Sequence, residues 1–202
     1  MEFYHGSAVG GLKELRPFAS PDSNLPEPLV YLTTLKQLAL HYITRCRMLD
    51  IRADGTIVFQ EMFSGALAHY YKGASGYLYT CRSDYALDPA SKVRFCATSA
   101  RPVPVAACEW IEDVYERVME YGGRGEFVYE RYEELPPWRH DFIRRIIYRQ
   151  IQQKNLFGNP SHPEYAFYQA HYGQYLRDAE ELQATGRFEK ELARLERLQW
   201  KG

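Results

Sequence analysis

The amino-acid sequence predicts an α+β protein, in which a mostly antiparallel sheet with flanking helices precedes an all-helical C-terminal extension. Runs rich in β-branched and aromatic residues fill the first two thirds of the chain, with little helix between successive strands. That order differs from the regular strand–helix alternation of a parallel sheet. After Pro136-Pro137, which can continue neither a helix nor a sheet interior, apolar residues recur every three or four positions. We therefore expect an α+β domain over 1–136 and a helical extension over 137–202.

Composition excludes several classes of protein. The chain has 202 residues, of which 46% are hydrophobic and 25% charged, so a disordered or fibrous chain is excluded. A net charge of −1 provides no overall attraction to nucleic acid or to an anionic membrane. No apolar run approaches the ~20 residues of a membrane span, and the first residues lack the basic start of a signal peptide. We expect a cytoplasmic protein without a membrane partner.

The cysteine pattern argues against a metal site. Cys46, Cys81, Cys96 and Cys108 are widely separated, with no CxxC and no Cys/His spacing typical of zinc ligands. Isolated cysteines in apolar surroundings usually behave as small core residues. We therefore expect core thiols and no structural zinc.

The predicted domain begins with an aromatic strand over 2–7 and, after a proline-rich loop, a second strand over 29–33. A helix is predicted to follow at once, because apolar residues repeat with helical spacing over 35–46 and Thr34 and Gln37 have the spacing of a capping box. Further along, Asp54-Gly55 predicts a two-residue hairpin turn. The remaining predicted elements are a helix over 64–72, strands over 76–81, 93–99 and 103–108, a helix over 110–119 and a strand over 125–132.

The predicted extension contains helices near 138–153, 163–184 and 188–200. Four arginines follow one side of the first helix, where they form either a solvated face or a surface that binds phosphates; they are Arg139, Arg144, Arg145 and Arg149. The last helix is too short for a coiled coil by itself, so it docks on the domain or on a second copy. We expect any homodimer to form through the C-terminal helices.

Three segments contain residues that could carry chemistry. Tyr4-His5-Gly6-Ser7 places an imidazole at a strand end beside glycine backbone, which either grips a polar ligand or forms an ordinary turn. Tyr31 alternates with Val30 and Leu32, so its ring points either into a cleft or into cross-strand packing. Asp84 and Asp88 follow the strand at 76–81, where a carboxylate either stabilises positive charge on a sugar or lies in a solvated turn.

The order of these segments resembles the ADP-ribosyltransferase fold. YHGS, then VYLTT before a helix, then GYLYTC with DYALDPA, and then VRFCATS, RPVPVAA and CEWIEDV follow one another over residues 2 to 115. The nearest likeness is to small bacterial enzymes of the rifampin ADP-ribosyltransferase (Arr) type. A looser one is to the poly(ADP-ribose) polymerase and diphtheria-toxin group.

The resemblance implies a split antiparallel sheet that holds NAD, as co-substrate, in its central cleft. His5 would bond the adenosine-ribose hydroxyls, the Gly6 backbone would hold the nicotinamide carboxamide, and the Tyr31 ring would stack on nicotinamide. Asp88, or Asp84 as second choice, would stabilise the oxocarbenium-like state as the nicotinamide–ribose bond breaks. The other implied NAD-binding positions are Tyr4, Ser7, Thr33 and Tyr42.

The sequence therefore predicts an NAD-dependent mono-ADP-ribosyltransferase whose acceptor is a small molecule, a protein or a nucleic acid. One alternative is a non-catalytic binding module with the same fold. Another is an RNA 2′-phosphotransferase, although the arginines of the N-terminal half lack that family's spacing. The segment over 54–72 would cover or block the cleft, and further carboxylates could enter it: Glu109, Glu126 and Glu130.

Overall fold

The computed structural model describes residues 2–19, 27–44, 49–82, 88–89 and 94–198, with the backbone alone described at 88–89. Two compact units divide the chain. One holds Met1–Glu61 and Gly65–Glu130, and the other holds Met62–Ser64 and Arg131–Gly202. The predicted α+β class is confirmed, since strands dominate the first unit and helices follow in the second.

Most strands of the first unit belong to one antiparallel sheet. In chain order the strands are β1 (Glu2–Ser7), β2 (Glu14–Leu15), β3 (Val30–Thr33), β4 (Leu49–Ile51), β5 (Ile57–Gln60), β6 (Gly76–Arg82), β7 (Asp88–Pro89), β8 (Cys96–Ser99), β9 (Val103–Ile111) and β10 (Phe127–Glu130). The large sheet has the order β2-β9-β6-β1-β3-β8-β7, and a small sheet has the order β10-β5-β4. β1 therefore lies in the middle of the large sheet.

One face of the large sheet is covered by a hydrophobic core. Side chains alternate between the faces of a strand, and Val30 and Leu32 are buried in this core while Tyr31 is only half-buried. The predicted alternation in β3 is thus confirmed. The buried members of the cluster are Leu15, Val30, Leu32, Tyr79, Cys81 and Val103.

Helix α1 (Lys36–His41) packs directly on β1. A Cβ atom at Gly6 would overlap the carbonyl oxygen of Ala39, so only glycine permits this close approach. The predicted capping box is wrong, because no side chain caps the helix at Leu35. Instead the Thr33 hydroxyl accepts a hydrogen bond from the Leu35 N–H at 3.1 Å, which ties the helix start to the end of β3.

The predicted hairpin at Asp54-Gly55 is present, but its loop is one residue longer than expected. Arg52 N–H donates to the Thr56 carbonyl at 2.9 Å, which leaves three residues, Ala53 to Gly55, in the loop. Gly55 has φ 89°, the left-handed conformation that such loops require at this position. The hairpin joins β4 to β5, and β5 then pairs in parallel with β10. The segment over 54–72, which also contains α2 (Ala66–Tyr71), is therefore a structural part of the first unit.

The helix predicted over 110–119 begins later than the spacing suggests. It is α3 (Val114–Gly123), and Trp110 and Ile111 belong to β9, where they lie opposite β6. Asp113 caps α3, since its carboxylate accepts hydrogen bonds from the backbone N–H groups of Tyr115 and Glu116. Strand pairing has therefore captured the first two apolar residues of a helical pattern.

The second unit contains a short 3₁₀ turn (Tyr132–Glu134) and the helices α4 (Pro137–Gln153), α5 (Tyr165–Ala184) and α6 (Phe188–Arg197). α4 buries Ile143, Ile147 and Ile151 within this unit, and it packs against both α5 and α6. None of the helices in the described ranges combines the length and apolar character needed for a bilayer crossing.

Candidate functional site

The large sheet opens between β1 and β3, at the position of the predicted site. β1 has six register pairs with β6, but only Tyr4 and Thr33 pair across to β3. If the antiparallel register continued, Gly6 would lie opposite Tyr31, yet the described strands form no pair there. The backbone edges of 5–7 and 30–32 thus face each other across an opening, which we call the β1/β3 opening.

An imidazole takes the place of a backbone ladder bond in this opening. The Nδ1 atom of His5 lies 2.9 Å from the carbonyl oxygen of Tyr31. Because a carbonyl only accepts hydrogen bonds, Nδ1 carries the proton. Burial lowers the pKa of His5, although the bond to Tyr31 opposes this, so the ring is neutral at neutral pH. Its Nε2 atom therefore offers a lone pair, and no described residue donates to it.

Gly6 has two distinct features at the same position. Its identity is explained by the Ala39 carbonyl of α1, which leaves no room for a side chain. Its main chain pairs with Leu78 of β6, while no described residue of β3 is in register with it on the other side. The implied contact between the Gly6 backbone and a carboxamide is compatible with this open edge.

Tyr31 and Asp88 lie on one register line across three strands. Thr98 of β8 is opposite Tyr31 on one side and opposite Asp88 on the other. With neighbouring strands about 4.8 Å apart, the Cα atoms of Tyr31 and Asp88 are roughly 10 Å apart. His5 and Tyr31 meet through the imidazole and the main chain, and not through their two rings. Asp84 lies outside the described residues.

Two other predicted binding residues already have structural contacts. The hydroxyl of Thr33, which is 2% exposed, donates to the carbonyl of Phe95 at 2.9 Å. The hydroxyl of Tyr4 donates to Glu2, and the ammonium group of Lys36 lies 5.2 Å from the centre of the Tyr4 ring. Burial raises the pKa of Tyr4, with the Glu2 charge acting in the same direction. Both residues stabilise the closed end of the opening.

The last two predicted binding residues lie further from the imidazole. The hydroxyl of Ser7 accepts a hydrogen bond from the backbone N–H of Val9 at 3.1 Å, just after β1 ends. Tyr42 follows the last turn of α1 and is 51% exposed. Neither residue contacts His5 or Tyr31 in a printed hydrogen bond or ring pair of the described residues.

The additional carboxylates considered from the sequence have partners elsewhere in the first unit. Glu109 pairs with Arg117, and Glu130 accepts from the side chain of Gln60. Glu126 pairs with Arg124 at 3.3 Å. In the part of the chain that the structure describes, none of them reaches the β1/β3 opening, and no group of three or more His, Cys, Asp or Glu side chains could hold a metal ion.

The arginines show no phosphate-binding arrangement. In the first unit Arg16 and Arg82 form ion pairs with Glu14 and Glu2 on the surface. In α4 the arginine groups contact rings or acids: Arg139 and Arg145 lie over Phe142, Arg144 pairs with Asp141, and Arg149 pairs with Glu196. A set of converging, unpartnered guanidinium groups, which phosphate binding would require, is not found among these residues.

Tyr79 is a residue of this region that the sequence analysis did not single out. It lies opposite His5 on β6 and is fully buried. Its hydroxyl donates to the Val9 carbonyl at 2.8 Å and accepts from the Leu12 N–H at 3.4 Å, so it anchors the connection between β1 and β2. The alternation of GYLYTC places Tyr79 on the core face, but no local pattern shows that His5 is its neighbour.

Comparison with known proteins yields no relative for this arrangement: no protein-family model, curated protein or solved structure matches the chain. The geometry of the described residues is therefore the basis on which a function has to be argued.

Proposed function

We propose that the chain is an NAD-dependent mono-ADP-ribosyltransferase, with NAD bound at the β1/β3 opening. The observation that supports this most is the neutral His5 imidazole, whose Nδ1–H is held by the Tyr31 carbonyl at 2.9 Å. Two opened strand edges and an oriented lone-pair acceptor form a polar recess in a sheet that is otherwise paired. This arrangement suits a ligand that offers hydroxyl and amide groups.

The proposed reaction assigns one role to each group. The Nε2 atom of His5 accepts a hydrogen bond from a ribose hydroxyl, and the Gly6 main chain binds the nicotinamide carboxamide. The bond between ribose C1′ and the nicotinamide nitrogen breaks, and its electron pair leaves with nicotinamide. A carboxylate, Asp88 or Asp84, stabilises the cationic sugar more than the neutral one, which lowers the barrier. The acceptor's nucleophile bonds to C1′ and loses its proton to solvent.

The first test is binding and turnover of NAD by the purified chain. NAD affinity is measured by calorimetry, and nicotinamide release is measured with candidate acceptors of the three classes: small molecules, proteins and nucleic acids. His5→Asn keeps a donor at the Nδ1 position but lacks Nε2. Loss of one such hydrogen bond is expected to weaken NAD binding by about three- to tenfold.

The matched control is His69→Asn, since His69 is an exposed histidine on α2. It should leave both NAD affinity and nicotinamide release unchanged. If the parent chain neither binds NAD nor releases nicotinamide with any acceptor offered, the proposal is refuted. Equal NAD affinity of His5→Asn and the parent would remove the role given to the imidazole.

A non-catalytic NAD-binding module is a second candidate, and one observation favours it. The carboxylates Glu109, Glu126 and Glu130 are held by other partners, which leaves the acidic role to Asp84 and Asp88 alone. In an enzyme, the double variant Asp84→Asn with Asp88→Asn keeps NAD affinity and loses nicotinamide release. In a module, the parent binds NAD and releases no nicotinamide, so the two candidates are separated by the parent chain itself.

A further inference from the structure

Strand β9 has an open edge that the large sheet does not use. β2 pairs only with Val103 and Pro104, and Val105 N–H donates to the Lys13 carbonyl at 3.0 Å. Beyond that point the described residues place no strand beside 106–110, and all five of these residues are exposed. An unpaired strand edge of this length is a template for pairing with another strand. We call residues 106–110 the open edge.

The open edge lacks the devices that keep strand edges apart in monomers. It has no lysine and no proline, and its sequence is Ala-Ala-Cys-Glu-Trp. Trp110 is 52% exposed and touches Tyr77 of β6, with ring centres 4.8 Å apart. Its one charged residue, Glu109, is neutralised by Arg117 on α3. The edge thus presents small and apolar groups with no net charge.

We infer that the open edge binds the open edge of a second copy of this chain, so that two large sheets join as one across a two-fold axis. Two directly opposed residues of antiparallel strands must lie on the same face, so a two-fold axis has to pass through one residue that pairs with itself. The register that pairs all five open residues is centred on the middle one, Cys108. This inference concerns a different surface from the proposed NAD site.

The resulting register is complementary in size and in charge. Trp110 of each copy lies opposite Ala106 of the other, where the small side chain leaves room for the indole ring. Glu109 lies opposite Ala107, so the two carboxylates are not directly opposed. Each Glu109 brings its own Arg117, and positive and negative groups alternate around the axis. No like charges meet without an opposite charge beside them.

The first experiment measures mass by sedimentation over about three decades of concentration, since a short edge-to-edge interface is at the small end of stable contacts. The parent is expected to show a reversible monomer–dimer equilibrium. Cys108→Lys sets two ammonium groups against each other at the axis and should abolish the dimer. Met119→Lys, at another exposed position of the first unit, should not. A parent that is monomeric throughout, or a dimer that survives Cys108→Lys, overturns the inference.

A second experiment does not depend on the folding of Cys108→Lys. Directly opposed Cα atoms in an antiparallel pair are about 4.5–5.5 Å apart, which is within the range that a disulfide spans. Mild oxidation with diamide should therefore trap the parent dimer covalently. Cys108→Ser should stay a dimer but fail to cross-link. If cross-linking persists in Cys108→Ser, or is absent from the parent, the proposed register is wrong.

Discussion

A buried histidine in the first unit makes the stability of the protein depend strongly on mild acid. His41, the last residue of α1, is fully buried between aromatic rings. Its ring stacks on Phe127, with centres 5.6 Å apart, and meets the edge of Tyr71 at 5.1 Å. Neither ring nitrogen has a hydrogen-bond partner among the described residues. Burial alone lowers the pKa of His41 to about 3.

The size of the effect follows from that pKa. Unfolded histidine has a pKa near 6.5, so the unfolded chain binds a proton more readily than the folded one. The contribution of neutral His41 to stability is complete above pH 6.5 and falls as the pH is lowered toward 3. Each pH unit in this window removes about 1.4 kcal/mol, so acidification to pH 5 removes roughly 2 kcal/mol of unfolding free energy. His5, whose pKa is also lowered, acts in the same direction.

Urea unfolding at pH 7 and pH 5 tests this, with His41→Phe as the variant and His69→Phe as the exposed control. Phenylalanine keeps an aromatic ring in the site but cannot be protonated. The parent and the control should lose roughly 2 kcal/mol more than His41→Phe on acidification. Equal losses in all three proteins would refute the reasoning. Where His41→Phe does not fold, a proton NMR resonance of His41 that titrates near pH 6.5 in the folded parent would refute it as well.

Three further substitutions test the contacts that shape the site. Gly6→Ala should destabilise the protein by at least about 1–3 kcal/mol in thermal or urea unfolding, because its methyl group overlaps the Ala39 carbonyl; unchanged stability would mean that α1 does not lie this close. Thr33→Val should lower the unfolding free energy by about 1–3 kcal/mol, since the Leu35 N–H loses its acceptor, whereas Thr33→Ser should retain most of it. Asp113→Ala should lower it by about 0.5–2 kcal/mol, and Asp113→Asn by less; an unaffected Asp113→Ala protein would exclude the cap.

Local patterns predicted the elements, and contacts between distant segments decided the details. β1 has the predicted bounds, because its alternating aromatic residues have no competing pattern nearby. The capping box failed because Thr34 N–H donates to the Phe95 carbonyl, 61 residues away, and Thr33 takes over the helix start. Likewise, β6 drew Trp110 into β9 although its spacing favours a helix.

The candidate site was predictable as a set of residues and not as a geometry. His5 and Tyr31 were selected from separate local motifs, and their hydrogen bond joins positions 26 residues apart. The tautomer of His5 depends on that bond, so no sequence pattern could show it. The partners that hold Thr33 and the further carboxylates also come from distant strands and helices.

The central place of β1 has a consequence for how the protein is made. The strand that carries His5 leaves the ribosome first, but its two neighbours end at Thr33 and Arg82. Until Arg82 has been synthesised, β1 lacks half of its pairing, and its edges are exposed to chaperones or to the strands of other nascent chains. Assembly of the recess around His5 and closure of the sheet are thus one event, so a truncated chain that ends before β6 should be unable to form either.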